Sequence, residues 1–386
     1  MKPGVCLTLI ASLLAAPAAA VEYTVATCAD LADVDDTQVT GLTIDTSTFA
    51  CDEYTRFPVR NSMTLKATVP AVEFGNFSLK VLGELTVEPD VTFNGVVDQV
   101  KNGGVLSVAE GATATFMGTS EFSDNSVTVK QIGPISCGDG CERIARGVSY
   151  IVKKGGAIHN KGMLTFEGDA TFERNAVHTS LDEEVGRAGA ISNTGSGTIL
   201  FNGKLTMNGN KAEGGWSGDG GAIYNRGDIV VDGESLFSLN TSADGGGIHQ
   251  TPIGTMTFNS MATFSENEAS NLRGGGLYND GGVVNFNAGS LFEGNRVTGN
   301  GEHSFGGAIY NGNEGVVTLI GSTTFRANVA EWFAGAGGAI FTDDGDEEEG
   351  VSASVTTFPD DTLFEDNTAN NCPDVNNGDN DNCPEV

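Results

Sequence analysis

The feature that most constrains the fold is a short phrase that recurs along the chain. Residues 220–225 read GGAIYN, and residues 306–311 repeat the same letters. Related segments bring the total to seven, aligned on an isoleucine or a leucine in its place. The seven positions are Ile158, Ile191, Ile223, Ile248, Leu277, Ile309 and Ile340. They stand 33, 32, 25, 29, 32 and 31 residues apart, and a period of about 30 residues indicates a solenoid with one coil per repeat.

A second motif, Phe-x-x-Asn, follows each copy of the first after a short apolar run. Its copies are Phe172/Asn175, Phe237/Asn240, Phe264/Asn267, Phe292/Asn295, Phe325/Asn328 and Phe364/Asn367, with Met207/Asn210 as a variant and Phe122/Asn125 as an additional early copy. Asparagine tolerates the left-handed backbone conformation and glycine adopts positive φ without strain. We therefore expect the asparagine at a strand bend and the glycine pair where side chains would clash.

The pieces between these motifs are short, alternate with a period of two and lack helical periodicity. They predict an all-β fold, a right-handed single-stranded parallel β-helix of the pectin-lyase type. Each coil of about 30 residues should contain three short strands, with isoleucine and phenylalanine stacked on their own copies inside. A β-propeller would need four strands in about 40 residues, and the leucine-rich-repeat frame is missing.

The domain organisation follows from the same reading. Residues 1–20 place one lysine before an apolar run that ends in Ala18 and Ala20, which predicts a secretory signal peptide. Residues 21–59 should cap the open end of the solenoid and carry a disulfide, because terminal units must cover the core. The β-helix is expected over 60–367, with clear repeats from 122, and an Asn/Asp-rich tail over 368–386.

Charge and hydropathy limit the partners. The 386 residues include 51 acidic and only 20 basic side chains, a net charge of -31. Such a chain repels phosphate backbones, which argues against nucleic acid. No segment after the signal peptide approaches the roughly 20 apolar residues of a membrane span. We therefore expect an extracellular protein whose partner is a glycan or a surface protein.

GGAI tetrapeptides that alternate with Phe-x-x-Asn closely resemble the repeats of the chlamydial polymorphic outer membrane proteins. The resemblance covers residues 122–367. It implies a β-helix that lies at the cell surface and acts in adhesion. In that family a membrane β-barrel follows the β-helix, whereas only a short tail follows Asn367 here. We therefore expect a freely secreted or wall-associated, adhesin-like binding or structural protein.

The residue after the repeat isoleucine is the first candidate for binding. If isoleucine points inward, strand alternation points its neighbour outward. The neighbours include Tyr224, His249, Tyr278, Tyr310 and Phe341. They predict an exposed aromatic ladder that stacks on sugar rings or on a protein partner. The alternative is that these side chains stack on one another only to stabilise the solenoid.

An acidic run lengthens the last repeat and is the candidate metal site. Its carboxylates at Asp343, Asp344, Asp346 and Glu347 could hold Ca²⁺, which prefers several oxygen ligands. A solvated surface loop is the alternative explanation.

Asn76 is the better of two N-glycosylation acceptors. The other acceptor, Asn240, is also the repeat asparagine, and we expect its amide to be tied into the stacked bend.

Enzymatic activity is the alternative function. Some parallel β-helices cleave or epimerise acidic polysaccharides, using Ca²⁺-binding carboxylates and a basic residue, or paired carboxylates. Arg273 and Arg326 lie in separate repeats, and no polygalacturonase Gly-His-Gly or Arg-Ile-Lys signature occurs. A polysaccharide lyase or epimerase therefore remains the second hypothesis.

Six cysteines remain after the signal peptide and form three couples that are close in sequence. An even count in an exported chain favours disulfides. Fifteen pairings are possible, and we expect the local ones, Cys28–Cys51, Cys137–Cys141 and Cys372–Cys383.

Local pairing is open to a direct test. Non-reducing peptide mapping should recover one short fragment in which Cys137 is linked to Cys141, and a thiol reagent should find no free cysteine in the mature protein. A peptide that joins Cys28 to Cys383 would contradict the arrangement.

Overall fold

The computed structural model describes residues 20–98, 103–128, 152–179, 185–214, 217–299, 303–331, 334–343, 353–370, 372 and 374–376. Within them the chain forms strands throughout, apart from one 3-10 helix, Cys28–Asp33. Every strand pair in these residues is parallel. The predicted parallel β-helix is therefore confirmed.

One long sheet takes a single strand from each successive coil. Its twelve members are β1 (Val21–Val25), β2 (Val39–Ile44), β4 (Ser62–Ala67), β6 (Glu84–Val87), β10 (Thr113–Phe116), β15 (Met163–Phe166), β20 (Thr198–Phe201), β25 (Asp228–Val231), β29 (Thr255–Phe258), β33 (Val283–Phe286), β38 (Val316–Leu319) and β43 (Val355–Thr357). In every repeat that contains a GGAI phrase, the strand of this sheet comes after that phrase.

A second sheet holds two rows, which β3 (Thr48–Val59) and β5 (Ala71–Val81) join because they are long enough to run through both. The isoleucine row comprises β9 (Leu106–Val108), β14 (Ile158–Asn160), β19 (Ile191–Asn193), β24 (Ile223–Asn225), β28 (Ile248–Gln250), β32 (Leu277–Asp280), β37 (Ile309–Gly312), β42 (Ile340–Thr342) and β46 (Val375–Asn376). The phenylalanine row comprises β7 (Asp90–Asn94), β11 (Ser120–Ser123), β16 (Ala170–Glu173), β21 (Leu205–Asn208), β26 (Ser235–Ser238), β30 (Ala262–Ser265), β34 (Ser290–Glu293), β39 (Thr323–Arg326) and β44 (Leu363–Glu365).

Three smaller sheets complete the coils. Two-residue and three-residue strands after the Phe-x-x-Asn motif form a nine-stranded sheet: β8 (Val97–Asp98), β12 (Ser126–Thr128), β17 (Ala176–His178), β22 (Lys211–Ala212), β27 (Thr241–Ser242), β31 (Glu268–Ala269), β35 (Arg296–Val297), β40 (Val329–Ala330) and β45 (Thr368–Ala369). The other two sheets contain three strands and two strands that lie just before the glycine pairs, and we call them the covering strands. They are β13 (Val152–Lys154), β18 (Val185–Arg187), β23 (Ser217–Asp219), β36 (His303–Phe305) and β41 (Ala334–Ala336). The three predicted strands per coil are present, and these shorter strands were not anticipated.

Columns of identical side chains fill the interior. The seven repeat isoleucine and leucine positions pair in register from coil to coil and are fully buried. Phenylalanines stack on their copies, with ring centroids 4.8 Å apart for Phe237 and Phe264 and again for Phe264 and Phe292. This spacing equals that of hydrogen-bonded strands, so one register serves both the backbone and the core.

The asparagine of Phe-x-x-Asn forms a buried ladder on one side of this core. Asn267 Nδ2 donates to Asn295 Oδ1 at 2.9 Å and to the Phe237 carbonyl oxygen at 2.9 Å. Asn267 Oδ1 in turn accepts from the backbone N–H of Asn240 at 3.1 Å. The same pattern runs through Asn125, Asn175, Asn210, Asn240, Asn267, Asn295, Asn328 and Asn367.

The expected left-handed asparagine is wrong by one residue. Positive φ belongs to the residue before it, such as Leu239 at 56° and Glu266 at 54°. That residue makes the bend, and the asparagine is freed to point inward and bond across coils. The glycine-pair expectation is confirmed at the first glycine, as at Gly220 and Gly306, where a Cβ would overlap backbone of the same turn.

A second amide ladder follows the isoleucine row. Asn160, Asn193 and Asn225 donate in turn to the next side chain at 2.8–2.9 Å, the last to Gln250 Oε1. Gln250 Nε2 instead donates to the Thr251 carbonyl oxygen at 3.2 Å, and the ladder starts again at Asn279. Glutamine thus interrupts it between β28 and β32.

The predicted Cys28–Cys51 disulfide is present. Cys372 is disulfide-bonded as well, while its expected partner Cys383 and the predicted pair Cys137–Cys141 lie outside the described residues, as does the predicted signal peptide up to residue 19. Strands of residues 21–59 belong to the same two long sheets as the repeats. The boundary between a cap and the solenoid remains a prediction.

The ladder predicts that Asn267→Ala destabilises the protein far more than an exposed change. It leaves the Asn240 N–H and the Phe237 carbonyl unpaired in the interior, so the free energy of unfolding should fall by about 3 kcal/mol or more. Asn259→Ala, in the same coil but exposed and paired only at the surface, should change it by less than about 0.5 kcal/mol. Denaturant titrations measure both, and equal losses would contradict a structural role for the ladder.

Candidate functional site

The aromatic ladder expected at the surface is buried, and that expectation is wrong. Tyr224, His249, Tyr278, Tyr310 and Phe341 are only 4, 7, 4, 6 and 7% exposed. They do point away from the main core, as strand alternation requires. The covering strands, however, lie over them, and Phe305 and Ala336 pack against Tyr310 and Phe341. No strand was predicted in these covering segments.

Three columns therefore run side by side along the outer face of the isoleucine row. The aromatic column is the middle one: His159, Ser192, Tyr224, His249, Tyr278, Tyr310 and Phe341. The leading column stands just before the glycine pairs: Lys154, Arg187, Asp219, Asp244 and Arg273. The trailing column stands three residues after the isoleucine: Lys161, Thr194, Arg226, Thr251 and Asp280.

At the centre of this face His249 lies between two carboxylates. Its Nδ1 is 3.6 Å from Asp219 Oδ1 and its Nε2 is 3.9 Å from Asp280 Oδ2. These are ion-pair distances, longer than hydrogen bonds, and neither ring nitrogen has a hydrogen-bond partner in the part of the chain that the structure describes. Burial acts to lower the pKa of His249, but the two carboxylates outweigh it and raise that pKa to about 9. His249 is therefore a buried cation at neutral pH.

His159 occupies the same position in its repeat and behaves in the opposite way. Burial, and then repulsion from Lys154 and Lys161, lower the pKa of His159 to about 4. Among the described residues its Nδ1 also has no hydrogen-bond partner. The flanking columns thus set the charge of the two histidines in the aromatic column.

Arginines bind the tyrosines of the column on both sides of His249. The Arg187 guanidinium lies 4.7 Å from the centre of the Tyr224 ring, and its Nε is 3.4 Å from Asp219 Oδ2. Arg273 Nη1 donates to the Tyr278 hydroxyl oxygen at 3.0 Å. Burial raises the pKa of the Tyr278 hydroxyl well above its usual value, so this tyrosine stays neutral.

A cavity of about 350 Å³ opens beside the column. Its lining combines charged, polar and apolar residues: Arg187, Asp219, Tyr224, Arg226, His249, Thr251, Pro252, Ile253 and Asp280. Ile253 is 63% exposed and forms part of its rim. We call this the groove cavity. It brings two residues of the predicted site, Tyr224 and His249, together with charged neighbours that the sequence analysis missed.

The signal for the missed residues was present in the repeat. Arg187 and Asp219 hold one fixed offset from the glycine pair, and Arg226 and Asp280 hold one fixed offset from the isoleucine. Had those offsets been recognised as columns beside the aromatic one, charged residues there would have stood out.

The other predicted sites remain predictions. Asp343 is described, and its Oδ2 accepts from the Tyr310 hydroxyl at 3.3 Å, whereas Asp344, Asp346 and Glu347 lie outside the described residues. Among described residues no three His, Cys, Asp or Glu side chains are grouped as metal ligands. Asn76 is half-buried and donates to the Cys51 carbonyl oxygen at 3.1 Å. The expectation for Asn240 is confirmed, since its amide is buried in the ladder.

The segment 204–226 forms β21 to β24 and the start of the groove cavity, and it carries both repeat motifs. This segment matches the Chlamydia polymorphic membrane protein repeat. The resemblance expected from the GGAI and Phe-x-x-Asn motifs is thereby confirmed for this repeat. No curated protein and no solved structure matches the chain. In the described part of the chain, no helix has the length and apolarity needed to cross a membrane.

The two histidines predict a stability maximum near pH 6.5. The raised pKa of His249 gives a contribution that is complete below its unfolded value near 6.5 and is lost as the pH rises to about 9. The lowered pKa of His159 gives the opposite slope, so stability falls as the pH drops from 6.5 to about 4. Each histidine changes the free energy of unfolding by about 3 kcal/mol at most over its pH range.

Urea unfolding from pH 4 to 9.5 checks this maximum. His249→Gln should flatten the alkaline slope, and His159→Gln should reduce the acidic one. Each variant serves as the control for the other, because it should leave the opposite slope unchanged. An alkaline slope that survives in His249→Gln would show that another group causes it.

Proposed function

We propose that the protein is an extracellular, surface-associated binding protein that uses the groove cavity to hold a glycan or a surface protein. The repeat match to the polymorphic membrane proteins and the predicted signal peptide support the location. The cavity supports the binding role. Its mixture of charged and polar groups with an exposed aliphatic rim is typical of sites that bind sugars and polar surfaces.

The observation that carries this proposal is the rigidity of the cavity wall. Tyr224 and His249 are clamped between Arg187, Asp219 and Asp280 and rest on strands of the isoleucine row. Side chains fixed in this way lose little conformational entropy when a ligand binds. A solenoid therefore presents the cavity as a preformed surface.

A polysaccharide-cleaving activity is the second candidate, because two carboxylates and two arginines line the same cavity. A glycosidase acid must hold its proton near neutral pH. Burial alone would raise the pKa of Asp219 and of Asp280, but the contact with His249 outweighs burial and holds both pKa values below the usual value. Both are proton acceptors under these conditions, and this favours binding over hydrolysis.

The rim residue Ile253 provides the test. Ile253→Asp places a charge where ligand should pack, and it should weaken binding about tenfold or more without affecting the fold. Ile320→Asp is the matched control, since Ile320 is 61% exposed and Ile253 63%, but Ile320 does not line the cavity. A glycan array and attachment to host or wall surfaces measure binding.

Equal binding by both variants would move the site elsewhere on the solenoid. The same glycans, incubated with the parent protein and assayed for unsaturated uronate products and new reducing ends, decide between the two candidates. Binding without turnover supports the proposal, and turnover supports the enzyme.

A further inference from the structure

We propose that an anion-binding site adjoins the groove cavity, formed by Arg187 and Arg226 of its lining together with Lys154 and Lys161 of the preceding coil, and that it holds the carboxylate or sulfate of a sparsely charged acidic glycan. The inference rests on the proposed binding function and specifies its ligand.

The concentration of positive charge at this site is unusual for the chain. The sequence has 20 basic residues against 51 acidic ones, yet the leading column begins with Lys154 and Arg187, which pair directly in β13 and β18. Lys161 and Arg226 stand in the trailing column on the other side of the aromatic column. Cations thus flank His159 on both sides. Arg187 stands beside Ser192 and over the Tyr224 ring, and Arg226 follows Tyr224 in the trailing column.

Most of these cations lack a protein counter-ion. Arg187 contacts Asp219 and the Tyr224 ring. Lys154, Lys161 and Arg226 form no ion pair with any residue that the structure describes. Burial, and then repulsion by Arg187, Lys161 and Arg226, lower the pKa of Lys154. An anion bound among them would relieve this repulsion.

Buried polar atoms at the same place lack partners as well. Ser192 Oγ, Thr194 Oγ1 and His159 Nδ1 have no hydrogen-bond partner among the described residues. Buried polar groups are normally paired, and unpaired ones mark a place for ordered water or a ligand. All three atoms are shielded from solvent, so they do not contact the ligand directly; they show that hydrogen-bonding capacity beneath the cations is unfilled.

Two aspartates of the groove cavity limit how much charge the ligand carries. Asp219, which contacts Arg187, and Asp280 line the cavity, and they would repel a second acidic group. A uniformly charged polyuronate therefore fits poorly. A glycan with one acidic sugar at the cationic site and neutral sugars over Pro252 and Ile253 matches both features.

The test compares three immobilised forms of one trisaccharide: neutral, terminated by glucuronic acid, and carrying one sulfate. The parent should bind an acidic form about tenfold or more tightly than the neutral one. The triple variant K154Q/K161Q/R226Q should lose this preference while keeping its affinity for the neutral form. A control of the same composition, R60Q/K80Q/K204Q, replaces exposed residues elsewhere and should keep the preference.

A second measurement does not depend on the variants. Raising NaCl should weaken parent binding to the acidic forms and leave the neutral form unchanged, because salt screens charge pairs. Equal parent affinity for all three forms, or a preference that survives in the triple variant, overturns the anion site alone. Failure of the parent to bind any form, with Ile253→Asp indistinguishable from it on the wider array, overturns the proposed function as well.

Discussion

The buried asparagine ladder is the interaction on which the rest of the structure depends. Each coil must bend after the phenylalanine row, and the bend leaves backbone groups in the interior without strand partners. One amide side chain per coil bonds to the neighbouring coil's N–H and carbonyl and to the next asparagine. Because every bend is satisfied by the coil beside it, the coils hold a common register, and the phenylalanine and isoleucine columns follow.

A common register also explains how chemistry arises on the outer face. Each position in the repeat becomes a column, so every side chain stands beside the same columns as its counterparts, although the residues in those columns differ from coil to coil. His159 and His249 occupy one column yet differ in charge, because lysines flank the first and aspartates flank the second. The repeat fixes where a side chain stands, and its neighbours in adjacent columns decide what it does.

The fold was predictable because the repeat period and the two motifs act on the backbone directly. Glycine pairs, Phe-x-x-Asn and the isoleucine register each predicted a feature that the structure contains. The site was predictable only in part. Tyr224 and His249 were recognised, but their burial depends on covering strands such as β18 and β23, which have no strong apolar pattern of their own. Arg187 and Asp219 matter through pairing across coils, which linear spacing alone does not display.

Gln250 interrupts the ladder of side-chain amides along the isoleucine row. On either side of it, side-chain amides link successive coils of the isoleucine row, and at this one step Gln250 turns back to the Thr251 carbonyl instead. In a repeat protein, cooperativity travels through the contacts between neighbouring units. Coupling between the coils of β28 and β32 is therefore weaker than at the amide-linked steps. The Asn267–Asn295 amide link still crosses this step, so the expected consequence is a local weak point next to the groove cavity rather than a division of the molecule.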